Sequence, residues 1–171
     1  MTKIINLISP VKSVIAAEIF VQMKILYNVE YVQEYAKSLI WTKDFETLNN
    51  QYFVSHQQYK LFKSMIGKVD YIITDGSLVH GLYYNQINTD NTSNIEKTDK
   101  KIKEYISEFK NINIFLDRNP EIKYEVARLQ NFEEAKSADI EIKNILKSNN
   151  YPFFDIISSL KNVDKILKDI L

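Results

Sequence analysis

The sequence predicts an α/β domain of three layers, with helices on both faces of a mostly parallel five-stranded sheet. Two observations carry this. Apolar runs of five to seven residues alternate with longer segments whose apolar positions recur near the helical period of 3.6. The chain is 171 residues long with 45% hydrophobic and 26% charged side chains, enough for one core and too little for two, so residues 1–171 read as a single domain.

Each element follows from its own pattern. Lys3 to Ile8 (KIINLI) is nearly continuous in apolar character, as a strand buried on both faces requires. Val14, Ile15, Ile19, Phe20 and Met23 then fall on a helical period. Asn28 to Val32 reads as a second strand and Gln33 to Ile40 as a short helix. From Asp44 to Ile66 there is neither glycine nor proline, which gives one long helix or two abutting ones, ended by Gly67-Lys68. Val69 to Asp75 (VDYIITD) is a third strand finishing on an acid, followed by Gly76-Ser77 and a helix up to Asn85. The polar run Asn88 to Asn94 is a loop. Glu96 to Phe109 is helical, and Asn111 to Asp117 (NINIFLD) is a fourth strand. Helical patterns over Pro120 to Arg128 and Phe132 to Ser148, a fifth strand Phe153 to Ile157 and a closing helix Leu160 to Leu171 complete the chain.

Composition excludes several functions. With 22 basic and 22 acidic side chains there is no overall field to concentrate a polyanion, so no strong nucleic-acid signal is present. There is no cysteine, and His56 and His80 lie far apart, which argues against a zinc site. Nowhere do 18 apolar residues follow one another, so no membrane association and a cytoplasmic location are expected. Lysine supplies nearly all the positive charge. The two arginines, Arg118 and Arg128, stand out because a guanidinium offers phosphate a rigid two-pronged fork that lysine cannot copy. In parallel α/β sheets ligands sit beyond the carboxyl ends of the strands, here after Ile8, Val32, Asp75 and Asp117.

At those strand ends the fragments NVEYVQEYAK, VDYIITDGSLVHGLYYN and ARLQNFEEAKSADIEIKNILKSNNYPFF, in this order and spacing, resemble the P-loop nucleoside-kinase-like proteins often carried by bacteriophages. These are relatives of the ribosylnicotinamide kinase part of the NadR family, and the similarity runs over essentially the whole chain. It implies a P-loop NTPase-like fold with a lid-like helical segment at about 118–135. It also implies a glycine-rich loop, GxxxxGK[ST], that cradles phosphates after the first strand. Aligning Lys12-Ser13 with the Lys-Ser of that motif puts its glycines at Asn6 and Val11, neither of which is glycine, and the loop is shortened by about two residues. Pro10 lacks an amide donor and Val11 is β-branched, so the stretch reads as a plain strand-to-helix turn. Lys12 then sits at the positive end of a helix, unfavourable unless an acidic neighbour compensates.

By resemblance, Lys12, Ser13, Arg118 and Arg128 would contact phosphate, and Ser13 with Asp75 would hold Mg²⁺. Glu34 would orient or deprotonate an acceptor hydroxyl, so Glu34, Asp75 and Arg128 are the catalytic candidates. Gln51 and Gln57 would line the acceptor pocket. Nine aromatic residues between Tyr27 and Phe62 could stack on a base or, exposed together, form a protein interface.

Three readings remain open. One is a catalytically degenerate kinase-like protein without a cofactor. It would act on a protein partner, as a phage-encoded inhibitor of a host defence or metabolic enzyme in the host cytosol. The second is an active ATP-dependent nucleoside or nucleotide kinase, or an NTPase, using Mg-ATP through an atypical loop. The third holds a nucleoside-like small molecule without chemistry.

Overall fold

The computed structural model describes residues 1–8, 12–119 and 132–171. Five strands, β1 (Lys3–Ile8), β2 (Val29–Val32), β3 (Tyr71–Thr74), β4 (Lys110–Asp117) and β5 (Phe153–Ile157), form one sheet in the order β2-β3-β1-β4-β5. All four pairings are parallel. β1 lies at the centre because it can be buried on both sides: Ile4, Ile5, Leu7 and Ile8 have no exposed surface.

Alternation along β1 divides the core in two. Ile5 and Leu7 pack with α1 (Lys12–Lys24) and α8 (Val163–Ile170), through Ile15, Ile19 and Met23 of the first and Val163, Ile166 and Ile170 of the second. Ile4 and Ile8 face the opposite layer. There α4 (Gln51–Met65), α5 (Leu78–Ile87), α6 (Ile95–Ser107) and α7 (Phe132–Ser148) contribute Phe62, Leu82, Ile102 and Leu146. Asn6 shares that second face, where its amide donates to the side-chain oxygens of Asn111 at 3.0 Å and Asn113 at 3.1 Å. The Asn113 amide continues to the Pro152 carbonyl, so this polar ladder inside an apolar layer has its donors engaged.

The segment Asp44 to Ile66 resolves into two abutting helices, α3 (Phe45–Asn49) and α4. Asn50 sits between them as the C-cap of one and the N-cap of the next, its side chain accepting from the Phe53 amide at 3.0 Å. Before α3, α2 (Tyr35–Thr42) is capped by Lys43 in the left-handed region. α2 starts two residues later than its periodicity suggested, and β3 is four residues long, so Asp75 stands just beyond the strand. The closing helix is split into a 3₁₀ turn, Leu160–Asn162, and α8. The helix predicted over 120–128 lies outside the described residues.

The direction of the crossovers locates the site. β1 leads into α1 on one face, whereas β4, its neighbour, leads into α7 on the other. A crevice therefore opens at the carboxyl end of β1, the topological switch point of the sheet.

Candidate functional site

Three chain segments meet over that crevice. Lys12 and Ser13 open α1, Glu34 precedes the first residue of α2, and Asp75 follows β3. Asp75 is 1% exposed, and both carboxylate oxygens are engaged: one accepts the Ser13 hydroxyl at 2.7 Å, the other the Glu34 amide at 3.0 Å. The Lys12 ammonium lies 2.8 Å from a Glu34 carboxylate oxygen. The acidic neighbour that Lys12 needs at a helix N-terminus is thus Glu34.

Two residues fix this arrangement from below. The Gln58 side-chain oxygen accepts the Tyr35 amide at 2.7 Å, and its amide group donates to the Gln33 carbonyl at 3.4 Å, clamping the turn between β2 and α2. Gly76 lets the turn come close, since a Cβ there would stand 2.6 Å from Glu34 Cα and 2.9 Å from the Gln58 oxygen. Tyr31 on β2 has its phenol pushed far up by burial, and further by the carboxylate and hydrogen bond of Asp75 and by Glu34. His80, on the first turn of α5, is held well below the ordinary histidine value by burial and then by the charge of Lys12, against the opposing pull of Asp75. Its Nδ1 and the hydroxyl of Ser55 are buried without a hydrogen-bond partner.

The other candidates fall elsewhere. Ser77 is the N-cap of α5, accepting from the Val79 amide. Gln51 is buried, but its amide donates to the Leu48 carbonyl at the α3–α4 junction; Gln57 is half-buried, and Gln58 is the glutamine that reaches the site. Arg118, after β4, donates to Asp139 of α7 at 2.5 Å, and Lys143 of α7 bridges Asp117 at 2.9 Å and Asp155 at 2.8 Å. These ion pairs tie α7 to the end of β4 and the middle of β5. Burial pushes the Asp139 carboxyl up against the opposing effect of Arg118, and burial with the neighbouring Asp155 does the same to Asp117. Arg128 and most of the lid-like segment lie outside the described residues.

The two halves of a magnesium–triphosphate site fare differently. Cis ligands about 2.1 Å from an octahedral Mg²⁺ stand about 3 Å apart, so Ser13 Oγ and Asp75 Oδ2 at 2.7 Å are spaced to share an ion. The phosphate half departs in sequence from the glycine-rich motif. β1 ends at Ile8 and α1 begins at Lys12, so three residues connect them, one of them a proline. Asn6, at the first glycine position of the motif, is a paired, 2% exposed residue inside β1. A nest around a phosphate uses successive free amides, and the proline in this stretch supplies none. Among the described residues no group of three or more carboxylate or imidazole ligands could hold a metal, and no helix is long and apolar enough to cross a membrane.

No family model matches the chain, and no curated protein matches it. Solved structures do. Deoxyadenosine kinase from M. mycoides, determined with the products dCMP and a flexible dCDP, superimposes with a TM-score of 0.59 at 15% identity, over 97% of this chain and 96% of the kinase. The YorR protein from Bacillus subtilis, in complex with phosphorylated GDP, gives a TM-score of 0.56 at 20% identity, over 98% of this chain and 93% of YorR. The likeness shows a kinase-like α/β fold carried over the full length of the chain.

Proposed function

We propose that the chain is a catalytically degenerate member of the kinase-like fold, which no longer transfers phosphate from a bound nucleoside triphosphate and works by binding a protein partner. The observation that carries this is the three-residue, glycine-free link between β1 and α1. Phosphoryl transfer depends on positioning and neutralising phosphates, and the main device for both is missing. The remaining polar groups satisfy one another: Lys12 is neutralised by Glu34, and Asp75 is occupied by Ser13 and the Glu34 amide. A carboxylate held to an ammonium at 2.8 Å is a poor base for an acceptor hydroxyl.

Exposed aromatic surface supports a protein partner. Trp41 is 78% exposed at the end of α2, and Phe45, four residues on across the Lys43 turn, is 49% exposed. Large aromatics of this kind are enriched at binding hot spots. The partner class in this reading is a host defence or metabolic enzyme, with the chain as its phage-encoded inhibitor.

Calorimetric titration of the full chain with Mg-ATP tests the reading. No saturable heat is expected up to about 1 mM nucleotide. Micromolar binding accompanied by phosphorylation of a nucleoside overturns it and establishes the second reading, an active kinase, which the Ser13–Asp75 spacing favours. Stabilisation by a nucleoside without turnover would instead mark a retained acceptor pocket.

A further inference from the structure

A cleft of about 440 Å³ opens between the first turns of α4 and α6 and shares no residue with the Lys12–Glu34–Asp75 cluster. Its walls include Asn50, Tyr52, Asn94, Lys97, Thr98 and Lys101, and among the described residues no carboxylate lines it. Clefts of this size take small organic ligands. Asn50 and Asn94 are the N-caps of the two helices. Each commits its side-chain oxygen to a backbone amide, Asn50 to that of Phe53 at 3.0 Å and Asn94 to that of Lys97 at 2.9 Å. What each has left is its donor NH₂ group.

Positive charge is left over in this lining. Lys101 and Lys103 of α6 pair with Glu104 and Asp99, each at 2.8 Å, whereas Lys97 has no ion-pair partner among the described residues. Lys97 and Lys101 stand four residues apart on one side of the helix, where like charges repel. Thr98, next to Lys97, is 2% exposed, and its hydroxyl makes no hydrogen bond among the described residues. A buried hydroxyl ordinarily has a partner. Tyr52 supplies a flat wall: one face of its ring stacks on His56, with centroids 5.8 Å apart and 7° between the planes, and the residue is 42% exposed.

We infer that this cleft binds an aromatic phosphate monoester, its ring against Tyr52 and its phosphate on Lys97, Lys101 and Thr98. A phosphate dianion matches two ammonium groups one helical turn apart, which a singly charged carboxylate would leave half compensated. Its three outer oxygens can accept from the lysines, the Thr98 hydroxyl and the amide groups of Asn50 and Asn94. A planar ring beside Tyr52 gains an offset stack. The Phe53 and Lys97 amides are already taken by their asparagine caps, so side chains and not helix ends make the site. The inference goes beyond the partner-binding reading and is independent of whether phosphate transfer survives.

Calorimetric titration of the full chain with phenyl phosphate, in the absence of magnesium, tests it. Saturable binding with a dissociation constant of about 0.1–1 mM is expected, weakened at least about tenfold by Lys97→Gln with Lys101→Gln and about threefold by Thr98→Val. Circular dichroism checks that the variants are folded. Lys168→Gln, on α8 across the sheet, should bind like the native chain. No saturable heat up to about 10 mM overturns the inference. Binding that the double variant keeps puts the ligand elsewhere and overturns it too. Phenol bound as tightly as phenyl phosphate, or a loss in Lys168→Gln as large as in the double variant, overturns it equally, because the cleft would then read the ring alone or the surface charge at large.

Discussion

Replacing Asp75 by alanine separates a structural knot from a waiting metal ligand. The carboxylate is 1% exposed and joins the ends of α1, β2 and β3 by accepting the Ser13 hydroxyl at 2.7 Å and the Glu34 amide at 3.0 Å. Hydrogen bonds to an ionised acceptor contribute about 1.5–3 kcal/mol each. Recovering the cost of burying the charge offsets part of the loss, so Asp75→Ala should destabilise by about 3 kcal/mol. For a chain of this length that lowers the melting temperature by roughly 6–12 °C. Asp75→Asn is the informative partner. Its remaining oxygen can keep the Glu34 amide, and the Ser13 hydroxyl can turn to accept from the new amide group, so only about 1 kcal/mol should be lost. Thermal unfolding followed by circular dichroism measures both. Equal or higher melting temperatures for the two variants would refute the reasoning, because a carboxylate whose removal stabilises the fold is being kept for a ligand.

Three other perturbations follow from the same contacts. Asn6→Ala deprives the Asn111 and Asn113 oxygens of their donor inside the core and should cost about 2–3 kcal/mol, read as a lower urea midpoint at unchanged slope. Gly76→Ala would push a methyl group to 2.6 Å from Glu34 Cα, backbone that cannot give way cheaply; a loss of about 1–3 kcal/mol and a displaced Glu34 amide resonance in nitrogen–proton NMR spectra are expected. His80 stays neutral in the folded chain below its ordinary value near 6.5, while the unfolded chain takes up the proton. The unfolded state therefore binds more protons below about pH 6.5, so stability falls as the pH drops, by up to about 1.4 kcal/mol per unit. Urea titrations between about pH 7 and pH 5.5, above the range in which carboxylates dominate, should show this slope, and His80→Asn should flatten it.

Much of the architecture was legible because burial leaves a period in the chain. The run KIINLI cannot be other than a central strand once every side chain after Lys3 must be buried, and the alternating strands and helices then leave a parallel sheet. The break at Asn50 was not decidable from pattern alone, since an asparagine is tolerated within a helix and only its cap bond to Phe53 reveals the new start. Gln58 was missed although a signal existed: Val54, Gln58 and Phe62 are four residues apart, and the two apolar members mark the buried side of α4. His80 within LVHGLYY reads as a core residue, and nothing local shows that Lys12 and Asp75 lie near it. The pairing of Lys12 with Glu34 joins residues from different strand ends, which no local pattern encodes. Asn6 shows the reverse: the alignment puts it at a loop glycine of the motif, and the structure places it inside β1, paired with β3.

The link of three residues after Ile8 is the centre of the account, and restoring its length tests it most directly. A variant in which residues 9–11 are replaced by a glycine-rich connection about two residues longer keeps Lys12, Ser13, Glu34 and Asp75 in place. Equilibrium binding of Mg-ATP to this variant and to the native chain is the measurement. Micromolar binding by the variant and none by the native chain is the expected result, whereas tight binding by the native chain would contradict the account at its root.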